Sequence, residues 1–391
     1  MSNRDIQRNL FLIAFESVIT AGVLCIPFMT LFYNSIAMNQ EMIAFSQMLF
    51  TLFMMFFNIP AGWIADRFSR KWANVIGDFG TALAFLLYST ANSFMMVVLA
   101  EALSGIFMSL SSGVDSTLLR HFCRKRDQSG ELYRSNAARI STLQYVAFLI
   151  LILLGGPLGA ISFRLAIAAS AVPFALGALA SLFIQDDSEL LVPEKKNPFA
   201  DILRVIASSI KNPPLRLRIW AYAVARESTH AVIWIYTPLL LLAGVPLEIV
   251  SLGWALNTLA NTIGSWLAQR LQRRMKEWQI FLFALLLPVI GLGVISIHLN
   301  LLTVWFYLLM GVTQGWTNAT MLPLVQKYTK PSEETSVISL TRSVGQLLYL
   351  PTVWLVNKVA DINIFYGIYA SLVVFFLLGL PILLSLWRQR S

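Results

Sequence analysis

Twelve stretches of roughly 20 residues, each strongly apolar, run along this chain and fix its solvent before anything else. A bilayer core about 30 Å thick takes roughly 20 helical residues to cross. A segment inside it must satisfy its own backbone hydrogen bonds, so each stretch predicts a membrane helix. The spans are 9–33, 41–64, 73–91, 94–119, 136–160, 162–184, 219–243, 247–269, 278–298, 300–326, 336–358 and 362–387. Span 94–119 has the weakest hydropathy, interrupted by Ser109, Ser111, Ser112 and Asp115. Of the 391 residues, 57% are apolar and 13% charged, too few charges to clothe a water-soluble protein of this size. That excludes an ordinary soluble enzyme, a disordered chain and a collagen-like one. No A-x-A-like site follows the first span, which predicts an uncleaved helix. Cys25 lies in an apolar stretch and Cys123 in a basic one, so no disulfide framework is expected.

The cations set the expected orientation. Arg4, Arg8, Arg67, Arg70, Lys71, Arg120, Arg124, Lys125, Arg126 and Arg134 fall at the N-terminus and after even-numbered spans. Lys195, Lys196, Arg204, Lys211, Arg216, Arg218, Arg270, Arg273, Arg274, Lys276, Lys327, Lys330, Arg388 and Arg390 continue the pattern. Only Arg164 and Lys358 stand on the other side. The positive-inside rule then puts both termini in the cytoplasm, which requires an even number of spans. The basic excess thus belongs to loops and lipid headgroups, and no nucleic acid is expected. Between spans six and seven, 185–218 is polar and Pro-rich; it separates an N-terminal six-helix bundle (1–184) from a C-terminal one (219–391). Residues 199–211 fit either an amphipathic helix on the cytoplasmic face or a plain linker with a helical turn or two.

The halves repeat one another. After span two the chain reads Gly62-Trp63-Ile64-Ala65-Asp66-Arg67-Phe68-Ser69-Arg70-Lys71; after span eight, Ser265-Trp266-Leu267-Ala268-Gln269-Arg270-Leu271-Gln272-Arg273-Arg274. Tryptophan, alanine and three basic positions coincide at an offset of 203 (266 minus 63). Parallel halves related about the membrane normal are a transporter design. The first copy resembles the loop signature of the major facilitator superfamily, G-x-x-x-D-R-x-G-R-K/R, with Ser69 in place of the second glycine. The resemblance implies an all-α membrane protein of two pseudo-symmetric six-helix bundles that rock around a cavity lined by spans 1, 4, 7 and 10. It also implies a cytoplasmic gate at Gly62, Asp66, Arg67, Arg70 and Lys71, with Asp66 latching towards span 11 and its Arg342. Gly62 is expected to allow close helix approach.

The exporter branch is matched loosely. The arginine of the span-four drug-antiporter pattern R-x-x-x-G is replaced in Glu101-Ala-Leu-Ser-Gly105. The span-five motif G-P-x-x-G-G is met in part by Gly155-Gly156-Pro157-Leu158-Gly159-Ala160. Ser112 to Leu119 resembles a span-four pattern of superfamily permeases described as exporters.

Charge at bilayer depth costs about 2.5–3.5 kcal/mol on the insertion scale, so ionisable residues within spans point to a task. They are Glu16, Asp78, Glu101, Asp115, Arg139, Arg226, Glu227, His230 and Arg342. They form either a salt-bridged gate or proton carriers. Glu16, Glu101, Asp115 and Glu227 are the proton-coupling candidates. Asp115 and Arg139, at similar depth on consecutive spans, predict an ion pair for which Asp78 competes. On a continuous helix Glu101 and Asp115 share a stripe with Gly105, Met108 and Ser112, and Glu101 has no evident partner. Glu227 and His230, three apart, share a face and suit a proton relay or a plain wall. Three scattered histidines, His121 and His298 included, argue against a metal site, and no cofactor is expected.

Neutral polar side chains complete the substrate-cavity candidates: Ser112, Arg226, His230, Trp234, Asn257, Asn261, Gln314 and Asn318, with Thr317, Thr320, Trp316, Pro323 and Tyr236 near them. Interhelical hydrogen bonding is the competing role for the amides. No Walker lysine motif, G-x-G-x-x-G, H-E-x-x-H or C-x-x-C occurs, so enzyme chemistry is not expected. The expected function is secondary transport by alternating access, proton-coupled efflux of a small amphipathic or polar organic compound. Import of a sugar, organic acid or peptide fragment, or a non-transporting sensor, are the alternatives. Protons, the solute and membrane lipids are the expected partners of a monomer in a plasma membrane, a bacterial inner membrane first.

Overall fold

A computed structural model describes residues 3–67, 69–185, 198–330 and 334–389. Helices fill every expected span, and the described residues contain no strand. Two compact units result: Met1–Met38 with Leu49–Lys196, and Asn39–Met48 with Asn197–Ser391.

The first unit holds α1 (Asn3–Ile19), α2 (Met29–Ser35), most of α3 (Gln40–Arg67), α4 (Arg70–Thr90), α5 (Phe94–Ser111), α6 (Val114–Arg126), α7 (Glu131–Ile161), α8 (Phe163–Ala169) and α9 (Ala171–Leu182). Span one is therefore not one helix but two, joined through a 3-10 turn at Ile26–Phe28 that Pro27 initiates. Freed backbone N–H groups at membrane depth need acceptors. Leu24 and Cys25 both donate to the Ser170 hydroxyl at 3.1 Å, and Ser170 stands at the α8–α9 break of span six. The glycine turn of α7 seats the same break: a Cβ on Gly155 would land on the Leu24 carbonyl, and one on Gly159 on the Phe28 ring. Span four also breaks, at Gly113, whose φ of +78° suits glycine. Ile6, Ile13, Leu118, Phe122 and Ile184 knit α1 to α6 and the end of span six. Phe56, Phe79, Leu83 and Leu154 face outward, as lipid-facing side chains must.

The second unit holds α10 (Pro198–Lys211), α11 (Pro213–His230), α12 (Ile233–Leu242), α13 (Val250–Leu271), α14 (Glu277–Ile297), α15 (Leu308–Lys327), α16 (Glu334–Ala360) and α17 (Ile364–Arg388). Residues 186–197 lie outside the described part, and the helical alternative for 199–211 is realised in α10. Its Val205 is buried with Leu215, Ile219, Val325 and Val337, so the helix packs on protein at that point, while Ile210 is exposed. Span seven unwinds at Ala231-Val232, as span one does in the other half. Here the Val232 carbonyl accepts the Ile235 N–H and the Tyr307 hydroxyl, each at 3.3 Å, and Tyr307 stacks on Tyr236 with centroids 3.8 Å apart.

The first turn of α3 belongs to this unit because α16 and the turn after it hold it. Asp361 accepts the Gln40 and Glu41 N–H groups at 2.6 and 2.9 Å, while Asn39 caps Met42 at 2.8 Å. Three of the four orphan donors of a helix start are thereby satisfied. Glu41 pairs with Lys358 at 3.3 Å and accepts the Trp354 indole at 3.2 Å. Asp361→Ala is expected to cost about 1 kcal/mol, the worth of an N-cap. Thermal unfolding in detergent checks it, with Asp361→Asn losing less because the amide oxygen still accepts.

Candidate functional site

Three acids gather in the first unit. Glu16 on α1 is 2% exposed and Asp78 on α4 is 2% exposed; their carboxyls lie within hydrogen-bonding reach of each other. Both pack against α9 at Gly177, where a Cβ would lie 3.0 Å from Asp78 Oδ2 and 3.6 Å from Glu16 Cγ. Ser17 joins the third: its hydroxyl donates to Asp115 Oδ2 at 3.0 Å and stands 3.4 Å from Glu16 Oε2. Asp115 is half-buried on the first turn of α6. The Gln144 amide fixes the Ser17 carbonyl at 3.0 Å. Asp127 caps the following α7 through the Leu132 N–H at 2.9 Å; that bond and those from Ser129 hold its carboxyl below the usual aspartate range.

The expected Asp115–Arg139 pair does not form. Asp115 takes Ser17, Arg139 is exposed, and Asp78 turns to Glu16. The break at Gly113 re-aims α6 relative to α5, so depth along the span no longer fixes which way Asp115 points. For the same reason Glu101 and Asp115 share no stripe. Gly105 packs on α3, its Cβ position 2.9 Å from the Phe50 carbonyl. Nor is Glu101 alone: it is 4% exposed and accepts the Tyr33 hydroxyl at 3.1 Å, with Tyr88 beside them. Ser112 is exposed.

The gate signature is described in part; the side chains of Asp66 and Arg67 lie outside the described residues. Gly62 is exposed, and a Cβ there would meet none of the described residues within 4 Å. Ser69 caps α4, its hydroxyl accepting the Trp72 N–H at 3.3 Å, which explains a serine where the family signature has glycine. Lys71 stands 5.8 Å from the Trp72 ring. Arg342 on α16 is exposed.

In the second unit Glu227 is 4% exposed and faces α16, where a Cβ on Gly345 would lie 3.0 Å from Oε1. Arg226 approaches it at 3.7 Å. His230 Nδ1 meets the Arg226 carbonyl at 3.1 Å, and no hydrogen bond among the described residues joins Glu227 to His230. Trp234 donates to the Tyr349 hydroxyl at 3.0 Å, and Tyr222 to exposed Asn318 at 3.3 Å. Asn257, Asn261 and Gln314 lie on the α13–α15 seam: Asn261 contacts Gln314 at 3.5 Å, and Gly311 abuts the Asn257 carbonyl. Trp316 is fully buried, with its indole on the Ile280 carbonyl at 3.0 Å.

A network the sequence did not suggest ties four helix ends together. Arg218 (6% exposed) donates to Glu277 at 2.6 Å and to Gln389 at 2.6 Å, and its guanidinium lies 4.2 Å from the Tyr328 ring centroid. Lys327 and the Tyr328 hydroxyl reach Glu277 Oε1, each at 3.1 Å. The one available signal was an acid, Glu277, directly after Arg273, Arg274 and Lys276. Among the described residues no three His, Cys, Asp or Glu side chains come together as metal ligands.

Broken helices in pairs, buried acids at the breaks and a lipid-facing shell define a helical membrane transporter. The Major Facilitator Superfamily profile matches residues 10–350, and the chain belongs to that family. Comparison with curated proteins gives no match. The fold is similar to the crystal structure of the nucleoside transporter NupG, with TM-score 0.81, 12% identity and all of both chains covered. It is also similar to an inward-facing bacterial homologue of the human lysosomal transporter Spinster, with TM-score 0.75, 12% identity and coverage of 99% of this chain and 98% of that one. For the D-xylose-proton symporter the values are 0.69, 11%, 98% and 96%. The chain is thus a small-molecule transporter, not an enzyme.

Proposed function

We propose that this chain moves a small polar organic solute by alternating access, driven by protons that its buried acids carry, and that it exports the solute. The observation behind proton coupling is the grouping of Glu16, Asp78 and Asp115 from three helices, with no ion pair to a cation among the described residues. Acids held that way cannot all stay ionised, so they exchange protons as their surroundings change. The partly open side chains of Arg226, His230 and Trp234, with exposed Asn318 and Arg342, suit a solute with hydrogen-bonding groups and a ring. Symport into the cell is the second reading, favoured by the nucleoside transporter and the D-xylose-proton symporter among similar structures. Asp66 and Arg67 keep the gating role that the loop signature implies. The protein acts as a monomer in a plasma membrane, a bacterial inner membrane first, with lipid headgroups at its basic loops and both termini in the cytoplasm.

Purified protein in liposomes, with pH gradients of either sign and a panel of labelled nucleosides, pentoses and aromatic amines, tests this. Export predicts that solute accumulates against inward proton flow; symport predicts accumulation along it. Glu16→Gln is expected to lose gradient-driven accumulation while retaining solute exchange. Equal accumulation with and without a gradient would make the protein a facilitator.

A further inference from the structure

We infer that Glu16 and Asp78 form a carboxyl pair that holds one exchangeable proton between them, with Ser17 passing it to and from Asp115. The inference rests on the proton-coupled reading above and names the site within it.

Geometry makes the pair. Both residues are 2% exposed, their carboxyls lie within hydrogen-bonding reach, and both side chains meet the point where a Gly177 Cβ would stand, Asp78 through Oδ2 and Glu16 through Cγ. Asp78 Oδ2 is buried and receives no hydrogen bond, an orphan acceptor beside a second carboxyl. A proton on either partner converts that contact into an O–H···O bond. Among the described residues the neighbouring elements supply no cation to replace the proton. From α6 the facing group is Asp115, another acid. From α7 comes the neutral Gln144, while Arg139 on that helix is exposed. Helix α9, Ala171–Leu182, carries no ionisable residue. On α5 Glu101 is held by Tyr33, and on α8 Arg164 is held by the Ser89 carbonyl at 2.7 Å. Asn74, one turn before Asp78, is fully buried; its amide donates to Ser181 at 3.3 Å and its Oδ1 has no donor. Asn74 also reaches the Glu16 carboxyl and Ser111 reaches Asp78, so the donors beside the pair are neutral.

Ser17 supplies the exit. Its hydroxyl touches both the buried pair and half-buried Asp115. In the transfer the Asp115 O–H bond breaks as its proton passes to Ser17 Oγ, and the former Ser17 proton forms the new O–H bond on Glu16. The serine hydroxyl is regenerated, and the reverse step releases the proton.

The test uses the full-length protein in liposomes, read by gradient-driven solute accumulation, by proton release into a pH dye, and by infrared absorption of protonated carboxyls across pH. Wild type is expected to show two carboxyl steps separated by more than about one pH unit, as coupled acids do. Asp78→Asn and Glu16→Gln are each expected to collapse these to one step and to abolish gradient-driven accumulation alike. Ser17→Ala should slow proton release while leaving the carboxyl steps in place. The exchange variant Glu16→Asp with Asp78→Glu keeps both carboxyls and should restore accumulation; a folded exchange protein that stays uncoupled overturns the pair. If Asp78→Asn transports with an unchanged pH profile while Glu16→Gln does not, Glu16 works alone and the pair is wrong, yet proton coupling stands. If every variant accumulates solute as wild type does, the proton-coupled reading itself falls.

Discussion

Gly315→Val should destabilise the protein by about 3 kcal/mol or more, with a large fall in melting temperature in detergent. In α15, Gly311 and Gly315 stand four residues apart and face α13. A Cβ on Gly315 would land on the Asn261 carbonyl carbon and oxygen; one on Gly264 of α13 would land on the Val312 carbonyl. Each is backbone, held by its own helix ladder, so neither helix can yield without moving as a whole. Small residues at this spacing let two membrane helices touch backbone to backbone, where dispersion replaces the missing hydrophobic drive. Overpacking a tight seam costs about 1–3 kcal/mol and sometimes more, and two added methyls against a rigid carbonyl belong at the upper end. Gly315→Ala should already lower the melting temperature in detergent. Gly293→Ala is the control, since nothing lies within 4 Å of its Cβ position. That change should be neutral or stabilise by up to about 1 kcal/mol through helix propensity. Equal behaviour of the 315 and 293 variants would mean that α13 and α15 do not pack through these glycines.

The twelve spans were legible because membrane insertion is a one-dimensional criterion: about 20 apolar residues in a row can be counted. What could not be counted was where a span breaks. Spans one and seven unwind where Ser170 and Tyr307, far along the chain, bond to their backbone. Hydropathy is blind to such distant partners. The break in span four did leave a local sign, Gly113 beside Ser112, yet its consequence lay in direction and not in depth. Asp115 and Arg139 match in depth and still miss each other.

The site was half legible for the same reason. Glu16 and Asp115 stand out as acids in apolar sequence, and Asp78 does too, but only packing shows that Asp78 faces Glu16 across Gly177. Glu101 looked unpartnered because Tyr33 reaches it from the far side of the span-one break. The amides of α13 and α15 carry two readings in the sequence, because a polar side chain in a span serves either a solute or a neighbouring helix. Periodicity does not separate the two.

Arg218→Leu is expected to destabilise the protein by about 1.5–3 kcal/mol, the worth of hydrogen bonds to a charged group, since the Glu277 partner is part-buried. The guanidinium binds Glu277 through Nε at 3.0 Å and Nη2 at 2.6 Å, Gln389 at 2.6 Å and the Pro214 carbonyl at 3.1 Å. It thereby joins the starts of α11 and α14 to the ends of α15 and α17. Without it Glu277 keeps Lys327, whose side chain is 63% exposed and gives little in water. Arg218→Lys should recover only part of the loss, because an ammonium cannot reproduce the planar fork or the stack on Tyr328. The decisive arm is the double variant Arg218→Leu with Glu277→Leu. Replacing both charges leaves no stranded carboxylate, and apolar pairs of similar volume often match a buried ion pair. The double variant should therefore melt above Arg218→Leu alone, giving a coupling energy of about 1–3 kcal/mol in the mutant cycle. Additive losses would show that Arg218 and Glu277 act separately, each through its own contacts, and that the four helix ends are not tied through this pair.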